Sequence, residues 1–318
     1  MDSNLHPHIL DCWFLTGATA SGKTSTSIQL ATALDAEIIS LDSMSIYRDM
    51  DSGTAKPTQA DQAAVPHHLL DLIPPTDTFS VSQYCDLAHQ QIDKLRAKRK
   101  AVLFVGGTPL YLKSLLRGIF EGPPADWEFR REIEQEIEAH GLDALRERLK
   151  LVDPLSAHKL HANDQRRMIR ALEVYRATGK PISHLQTHFD QSRSKENCRV
   201  FALHWERSVL HDRINDRVDH MFENGLIQEV DNILLNYGEL SHTAAQAVGY
   251  QEVIAHLKGE IPLDRCIATV KQRTRQFARR QETWFRALDE CQWVERQPHD
   301  EIDTRVQQIL DAGQFENL

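Results

Sequence analysis

The chain has 318 residues, 41% of them hydrophobic and 26% charged, with a formal net charge of −9. That is the composition of a globular protein, long enough for one large core or two modest ones. No apolar run approaches the roughly 20 residues that cross a bilayer, which argues against a membrane span, and the start, Met1 to Leu10, carries Asp2 and no Lys or Arg, unlike a secretory or Arg-rich transit segment. The expected compartment is the cytoplasm.

Cys12 to Thr16 is a short apolar run followed by a Gly-containing loop, and Thr24 to Leu34 places Ile28, Leu30, Ala31 and Leu34 at helical spacing. The predicted order is strand, loop, helix. Glu37 to Leu41 and Ala101 to Val105 read as further strands, each apolar enough to be covered on both faces. Between them, Ser82 to Lys98 reads as a helix with Tyr84, Leu87, Ala88, Ile92 and Leu95 on one side, and His67-His68 reads as the entry to a strand. Strands alternating with helices predict an α/β fold with a parallel sheet.

After Gly118 the texture changes. Gly122-Pro123-Pro124 punctuates, and helical patterns then dominate from Trp127 to about Gln186, with stops at Asp153-Pro154 and Gly179-Lys180-Pro181. Arg199 to Trp205 returns as a buried strand. The expected organisation is a core of residues 1–121 and 199–318 interrupted by an all-helical insertion, residues 122–198. The chain closes with helices, among them a long one near Asp264 to Leu288 whose Ile267, Val270, Phe277, Trp284 and Leu288 follow a near-heptad rhythm.

The five cysteines are scattered with no CxxC pair, and the sixteen histidines include no HExxH spacing, so neither a disulfide framework nor a Cys- or His-based metal site is expected. Charge is unevenly spread. From Arg265 to Arg286 seven basic residues face one acid, and from Asn163 to Lys180 five face two, while acids gather near Glu128 to Glu138. Polyanion binding needs only such a local basic field, not a basic chain.

Gly17-Ala18-Thr19-Ala20-Ser21-Gly22-Lys23-Thr24 fits GxxxxGK[ST] between a predicted strand and a predicted helix. In that setting the loop's N–H groups converge on one anion, the helix start adds partial positive charge, Lys23 supplies a point charge and Thr24 offers a hydroxyl to Mg²⁺. The motif specifies a polyphosphate without specifying a nucleotide. Asp42 closes the second strand, where strand ends converge beside the loop; it could serve a magnesium ion through water, take a proton from a nucleophile, or simply form a turn. The third strand ends in Val105-Gly106-Gly107-Thr108-Pro109-Leu110-Tyr111, where paired glycines permit close backbone approach and Thr108 lies at the same sheet edge or caps a helix.

Taken together, these segments resemble the tRNA dimethylallyltransferase (tRNA isopentenyltransferase) family, bacterial type. The likeness extends through Asp42-Ser43-Met44-Ser45-Ile46-Tyr47, Gly53-Thr54-Ala55-Lys56-Pro57, Pro66-His67-His68-Leu69-Leu70-Asp71 and Asn163-Asp164 to Val174. It continues through Val248-Gly249-Tyr250 and Arg279-Arg280-Gln281 with Thr283-Trp284-Phe285, in order over almost the whole chain. It implies a P-loop NTPase-like core, dimethylallyl diphosphate as donor and N6 of the adenosine at tRNA position 37 as acceptor, with one chain acting as a monomer.

The resemblance assigns Gly17 to Thr24, with Mg²⁺ on Thr24, to the diphosphate, assisted by Arg213 or Arg217. It makes Asp42 the proton acceptor and puts Thr108 and Lys23 at the reacting centre. The anticodon stem-loop is expected on Asp42, Ser43, Met44, Ser45, Gly249 and Tyr250, on Arg166, Arg167 and Arg170 of the insertion, and on Arg275, Arg279, Arg280 and Arg286 of the long helix. Ala18 stands where the family usually has Pro, and Gln251 where a basic residue is frequent. Two rival readings share part of this pattern: a P-loop kinase of nucleosides or other small molecules, and an adenylate isopentenyltransferase acting on free nucleotide.

Overall fold

Residues 13–17, 36–41, 101–105 and 199–203 split alternately between two apolar layers, because successive side chains of a strand point to opposite faces. Phe14, Ile39, Leu41, Val102, Phe104, Val200 and Ala202 enter one layer, and Leu15, Ile38, Leu103, Phe201 and Leu203 enter the other. The computed structural model describes residues 6–120, 122–186 and 195–314. Its strands are β1 (Trp13–Gly17), β2 (Ala36–Ser40), β3 (His67–His68), β4 (Ala101–Val105), β5 (Arg199–Trp205) and β6 (Cys291–Arg296). They form one sheet in the order β3-β2-β4-β1-β5-β6, every pairing parallel.

The chain divides into two compact units, Met1–Leu116 with Ser192–Leu318, and Arg117–Gln191. In the first, α1 (Lys23–Leu34), the short α2 (Gln59–Ala64), α3 (Val81–Ala97) and α4 (Pro109–Arg117) follow the early strands. The second unit holds only helices among its described elements: α5 (Trp127–Val152), α6 (Pro154–Lys159), α7 (Gln165–Thr178) and α8 (Ile182–Leu185). The first unit resumes with α9 (Arg207–Glu223), α10 (Leu226–Tyr237), α11 (His242–Ala245), α12 (Tyr250–Leu257), α13 (Leu263–Arg286) and α14 (Ile302–Gly313). Helices α1 and α14 cover one sheet face through Leu30, Ala31, Val306 and Ile309. Helices α3 and α4 and Phe285 of α13 cover the other. A separate core joins Tyr47 and Met50 to Val218, Val230, Tyr250 and Val270.

Two elements differ from the sequence expectation. His67-His68 is itself a strand, held by Ile38 and Ile39 on one side and by a hydrogen bond between His68 Nε2 and Glu37 Oε2 at 2.6 Å. The second is β6, where only helices were expected. Its sequence, CQWVER, has too little apolar alternation to declare a strand, and its ladder with β5 supplies the order. In α13, Phe277 and Trp284 of the near-heptad pattern are 38% and 36% exposed, and the buried face runs instead through Cys266, Val270, Ala278, Gln281 and Phe285.

The helical unit packs Phe129, Ile133, Leu145, Leu149, Met168, Leu172 and Val174 into its own core. Buried Glu173, 2% exposed, lies beside that core and accepts from Arg130 Nε at 2.8 Å, Arg130 Nη2 at 2.9 Å and the Asp126 N–H at 2.7 Å, with Arg170 Nη1 as a further partner. Burial alone would push this carboxyl up, but the bonds from Arg130, Arg170 and Asp126 outweigh it and hold the group below its ordinary value of 4.5. A carboxylate with a depressed folded value stabilises the fold fully above its unfolded value and loses that contribution as pH falls through the folded one. Removing it leaves guanidinium groups without their buried partner. Glu173→Ala should destabilise the helical unit by about 3–5 kcal/mol at neutral pH. Urea unfolding should show the gap from wild type narrowing once the pH drops below about 4.

Candidate functional site

At the carboxyl end of β1 the chain turns through the glycine-rich loop into α1. Ala20 (φ 62°) and Gly22 (φ 89°) both take left-handed backbone, which curls the loop into a concave nest. Ala18 is 2% exposed and packs with Trp205, Leu210, Ile214 and Ala278, so this small residue seats the loop on β5, α9 and α13 without the ring of a proline. Lys23 Nζ donates to Gly17 O at 3.0 Å and Ala18 O at 2.8 Å, folding over the loop it belongs to. Its ammonium is pulled down to about 7 by burial and then by the Arg217 guanidinium, with Asp42 opposing. Lys23, Arg217 and Asp42 are therefore electrostatic neighbours, although they come from α1, α9 and the end of β2.

The two neighbouring strand ends are stitched together. Thr16 Oγ1 donates to Gly106 O at 2.9 Å, and Leu41 N donates to Val105 O at 2.8 Å. A Cβ at Gly106 would lie 2.2 Å from Leu41 O, so only glycine fits. Thr108 N donates to Leu41 O at 3.1 Å and its hydroxyl accepts from Ser43 N at 3.0 Å. The Thr108 side chain thus reaches across to Ser43 rather than capping α4. Asp42 is half-buried, and its Oδ1 accepts from Met44 N at 2.8 Å. One carboxylate oxygen forms a turn while the other has no hydrogen bond among the described residues. Both the turn-forming and the chemical reading of Asp42 are thereby compatible in one side chain.

The arginines of α9 separate by role. Arg213 Nε donates to Ala20 O at 2.9 Å and its guanidinium lies 4.6 Å from the Trp205 ring centre, so it braces the loop from outside. Arg217 is lowered from its ordinary value by burial, with Asp42 opposing, which puts it among the charges of the site. Gln281, part of the Arg279-Arg280-Gln281 segment, was given no role from the sequence. On α13, at 4% exposure, its Oε1 accepts from Thr19 N at 2.9 Å and its Nε2 donates to Gly107 O at 2.6 Å. It bridges the phosphate loop and the end of β4. A buried amide on a strongly basic helix was the available signal.

Thr24 is exposed at the first turn of α1. A hydroxyl there and a carboxylate oxygen of Asp42 are the hard donors that magnesium takes. Among the described residues no group of three or more His, Cys, Asp or Glu is arranged to cage a metal. The site therefore suits an ion shared with substrate phosphate oxygens rather than a protein-only cage.

Several residues expected to meet RNA lie elsewhere. Ser45 is 4% exposed, Gly249 is buried as the N-cap of α12 with its N–H on Glu252 Oε2, and Tyr250 is wholly buried with its hydroxyl on Glu229 Oε1 at 2.6 Å. They hold the interior, since Glu229 Oε2 also accepts Ser52 N at 2.7 Å. Arg170 bonds to Glu173 and to Pro123 O at 2.9 Å; Arg166 and Arg167 are exposed on α7, Arg167 pairing with Asp164 at 3.1 Å. On α13, Arg275 Nη1 donates to Asn215 Oδ1 at 2.6 Å, Lys271 pairs with Asp219, and Arg273 pairs with Glu252. Arg279, Arg280 and Arg286 remain exposed, with Arg280 over Phe277 and Arg286 over Trp293.

A parallel α/β sheet with a lysine-bearing phosphate nest, and a carboxylate on the next strand end, defines a P-loop protein that acts on a phosphorylated substrate. The IPP transferase family model matches residues 45–288. A tRNA dimethylallyltransferase of Rhodopirellula baltica is 47% identical over 314 residues, 95% of this chain and 94% of that one. The tRNA dimethylallyltransferase of Acetivibrio thermocellus is 40% identical over 91% of this chain and 92% of its own. Among solved structures, the full-length tRNA isopentenylpyrophosphate transferase of Bacillus halodurans superposes with a TM-score of 0.67 at 37% identity, covering 95% and 97% of the two chains. A eukaryotic dimethylallyltransferase described as acting on tRNA superposes with a TM-score of 0.73 at 27% identity, over 93% of this chain and 76% of that one. The chain belongs to the IPP transferase family, the tRNA dimethylallyltransferases.

The Gln281 bridge has a measurable consequence. Gln281→Ala frees the Thr19 amide and unties the phosphate loop from β4. Diphosphate affinity and turnover should fall together by about 10–10²-fold, as expected for a misplaced binding group. Affinity for RNA should stay at the wild-type value in gel-shift titration.

Proposed function

We propose that the chain transfers the dimethylallyl group of dimethylallyl diphosphate to N6 of adenosine 37 in the tRNA anticodon loop, in the cytoplasm and as a monomer. The observation that supports this reading is the phosphate loop at the end of β1, with Lys23 folded over Gly17 O and Ala18 O, and with Arg217 and Asp42 as the charges that act on its ammonium. The loop amides, Lys23 and Arg217 hold the diphosphate, and Thr24 offers the hydroxyl for Mg²⁺. When bound, that ion neutralises charge on the leaving diphosphate.

An adenine amine is a weak nucleophile because its lone pair is delocalised into the ring. The allylic C–O bond compensates by breaking with positive charge shared across the allyl system. Stabilising the departing diphosphate is then the main task, and preorganised donors do it well. As the C–N bond forms, the Asp42 carboxylate takes the N6 proton, and Thr108, anchored to Ser43, lines the reacting centre. The acceptor base has to leave its stack, and Phe277 and Trp284 with Arg279, Arg280 and Arg286 present the ring faces and guanidinium groups that unstacked RNA uses. Arg166 and Arg167 offer a second basic face on the helical unit.

Incubation with labelled dimethylallyl diphosphate and tRNA, AMP or no acceptor tests the reading directly. Label should pass to tRNA alone, and transfer to AMP, or phosphoryl transfer from ATP, would replace it. Asp42→Ala should lower single-turnover rates by roughly 10²–10⁴-fold with RNA affinity retained. Chelation of divalent metal should stop transfer, and added Mg²⁺ should restore it. Neutralising Arg279, Arg280 and Arg286 together should weaken tRNA binding and flatten its dependence on log salt by up to about three units.

A further inference from the structure

On the far side of β1 from Asp42 and Thr108, three arginines meet without enough negative charge to balance them. The sheet order puts β4 and β2 on one side of β1 and β5 and β6 on the other. Trp205 ends β5 and is in register with Arg296, which ends β6. The Arg296 guanidinium lies 4.7 Å and that of Arg213 4.6 Å from the Trp205 ring centre. From α14, Arg305 reaches in and donates through Nη1 to Thr26 Oγ1 at 2.8 Å and through Nη2 to Asp300 O at 3.3 Å. A Cβ built on Gly22 would stand 3.7 Å from Arg213 Nη2 and 3.8 Å from Arg296 Nη1, so two guanidinium groups converge on the outer side of the phosphate loop.

What distinguishes this cluster from ordinary stacked arginines is its unmet bonding. The Arg296 side chain is 8% exposed and Arg305 is 3% exposed. Buried Arg296 Nε and Nη1 and Arg305 Nε have no hydrogen-bond partner among the described residues. The carboxylate paired with Arg296, Asp300, stands 3.8 Å from its Nε, beyond hydrogen-bond range, and the same Asp300 oxygen already accepts Gln297 N at 2.7 Å. Three cations against two carboxylates, Asp300 beside Arg296 and Arg305 and Asp216 beside Arg213, leave an excess of about one positive charge, and buried unpaired donors of this kind are costly unless a ligand meets them. Burial, then Arg305 and Arg213, pull Arg296 down to about 10 against the opposing Asp300, as crowding among like charges requires. A planar guanidinium fork is the group that fits phosphate oxygens two at a time.

We propose that Arg213, Arg296 and Arg305 form a second oxyanion site, separate from the reacting centre, that takes one phosphate group. That group comes either from a tRNA backbone phosphodiester or from a small phosphorylated compound, and the two sources share the same recognition chemistry.

The test uses the full chain carrying Lys23→Met, which disables the phosphate loop, and equilibrium dialysis with labelled inorganic phosphate. This chain should still bind one phosphate, Arg296→Gln in the same background should weaken it by about tenfold or more, and Arg296→Lys should fall between, keeping charge without the fork. Should Arg296→Gln fail to fold, Arg296→Lys and the phosphate-dependent rise in melting temperature of the Lys23→Met chain carry the test. No phosphate bound by the Lys23→Met chain, or equal affinity with and without Arg296, overturns the proposal. A second arm, which rests on the proposed tRNA substrate, measures tRNA affinity of Arg296→Gln in the otherwise wild-type chain. A backbone source predicts weaker binding with a salt slope reduced by about one unit, and competition by phosphate. A small-molecule source predicts unchanged tRNA affinity beside lost phosphate binding. Because the phosphate arm needs no RNA, its failure is distinct from failure of the functional reading.

Discussion

The carbonyl of Leu41 occupies the space that a side chain at position 106 would need, with 2.2 Å between that oxygen and an added Cβ. This close approach, together with Thr16 donating to Gly106 O and Thr108 donating to Leu41 O, draws the ends of β1, β2 and β4 into one rigid edge. The arrangement of Asp42, Ser43 and Thr108 depends on that edge. It brings Asp42 to the phosphate loop although the two lie on strands that are not adjacent, with β4 between them. Gln281 then ties the same edge to α13, so the helix that presents Arg279 and Arg280 also sets the position of Thr19. The phosphate loop, the end of β4 and the basic helix α13 are thereby mechanically coupled.

Charge is divided in a similar way. A chain of net charge −9 handles polyanions by concentrating cations where they are needed, and the surface average has little bearing on a field that salt confines to about a nanometre. The concentration is nevertheless smaller than a count of basic residues implies. Along α13, Lys271, Arg273 and Arg275 bond inward to Asp219, Glu252 and Asn215, and they fasten the helices to one another. In the helical unit Arg170 neutralises Glu173 and leaves the outward face to Arg166 and Arg167. Arginine is thus in good part a structural residue here, and its hydrogen-bond partners, not its place in a basic run, show which side chains are so used.

The phosphate loop shows how a local motif tolerates change while its surroundings compensate. Ala18 lacks the rigidity of proline, yet it is packed against Trp205, Leu210, Ile214 and Ala278, and Arg213 holds Ala20 O from outside. Preorganisation comes from the tertiary frame instead of the ring. Asp42 is oriented in a similar way, one oxygen accepting the Met44 amide while the other has no hydrogen bond among the described residues.

Much of this was written in the linear chain. The phosphate loop, the strands at 13–17, 36–40, 101–105 and 199–205, and the helical character of the middle segment follow from apolar period and from Gly and Pro punctuation, which are local properties. The placement of Asp42 and Thr108 at neighbouring strand ends, and of Lys23 in the phosphate loop, was legible because strand ends of a parallel sheet converge. Local pattern could not reveal β6, whose order comes from its ladder with β5, nor the bridge made by Gln281 across 174 and 262 residues of chain. It could not show that Tyr250 and Ser45 face inward, or that Arg170 bonds to Glu173 and Pro123, because periodicity does not say which side of a residue another element will cover. Sequence thus determined which chemical groups the protein carries and the elements that bear them. Tertiary packing decided which of those groups meet, since distance, burial and unpaired charge exist only after distant segments have been brought together.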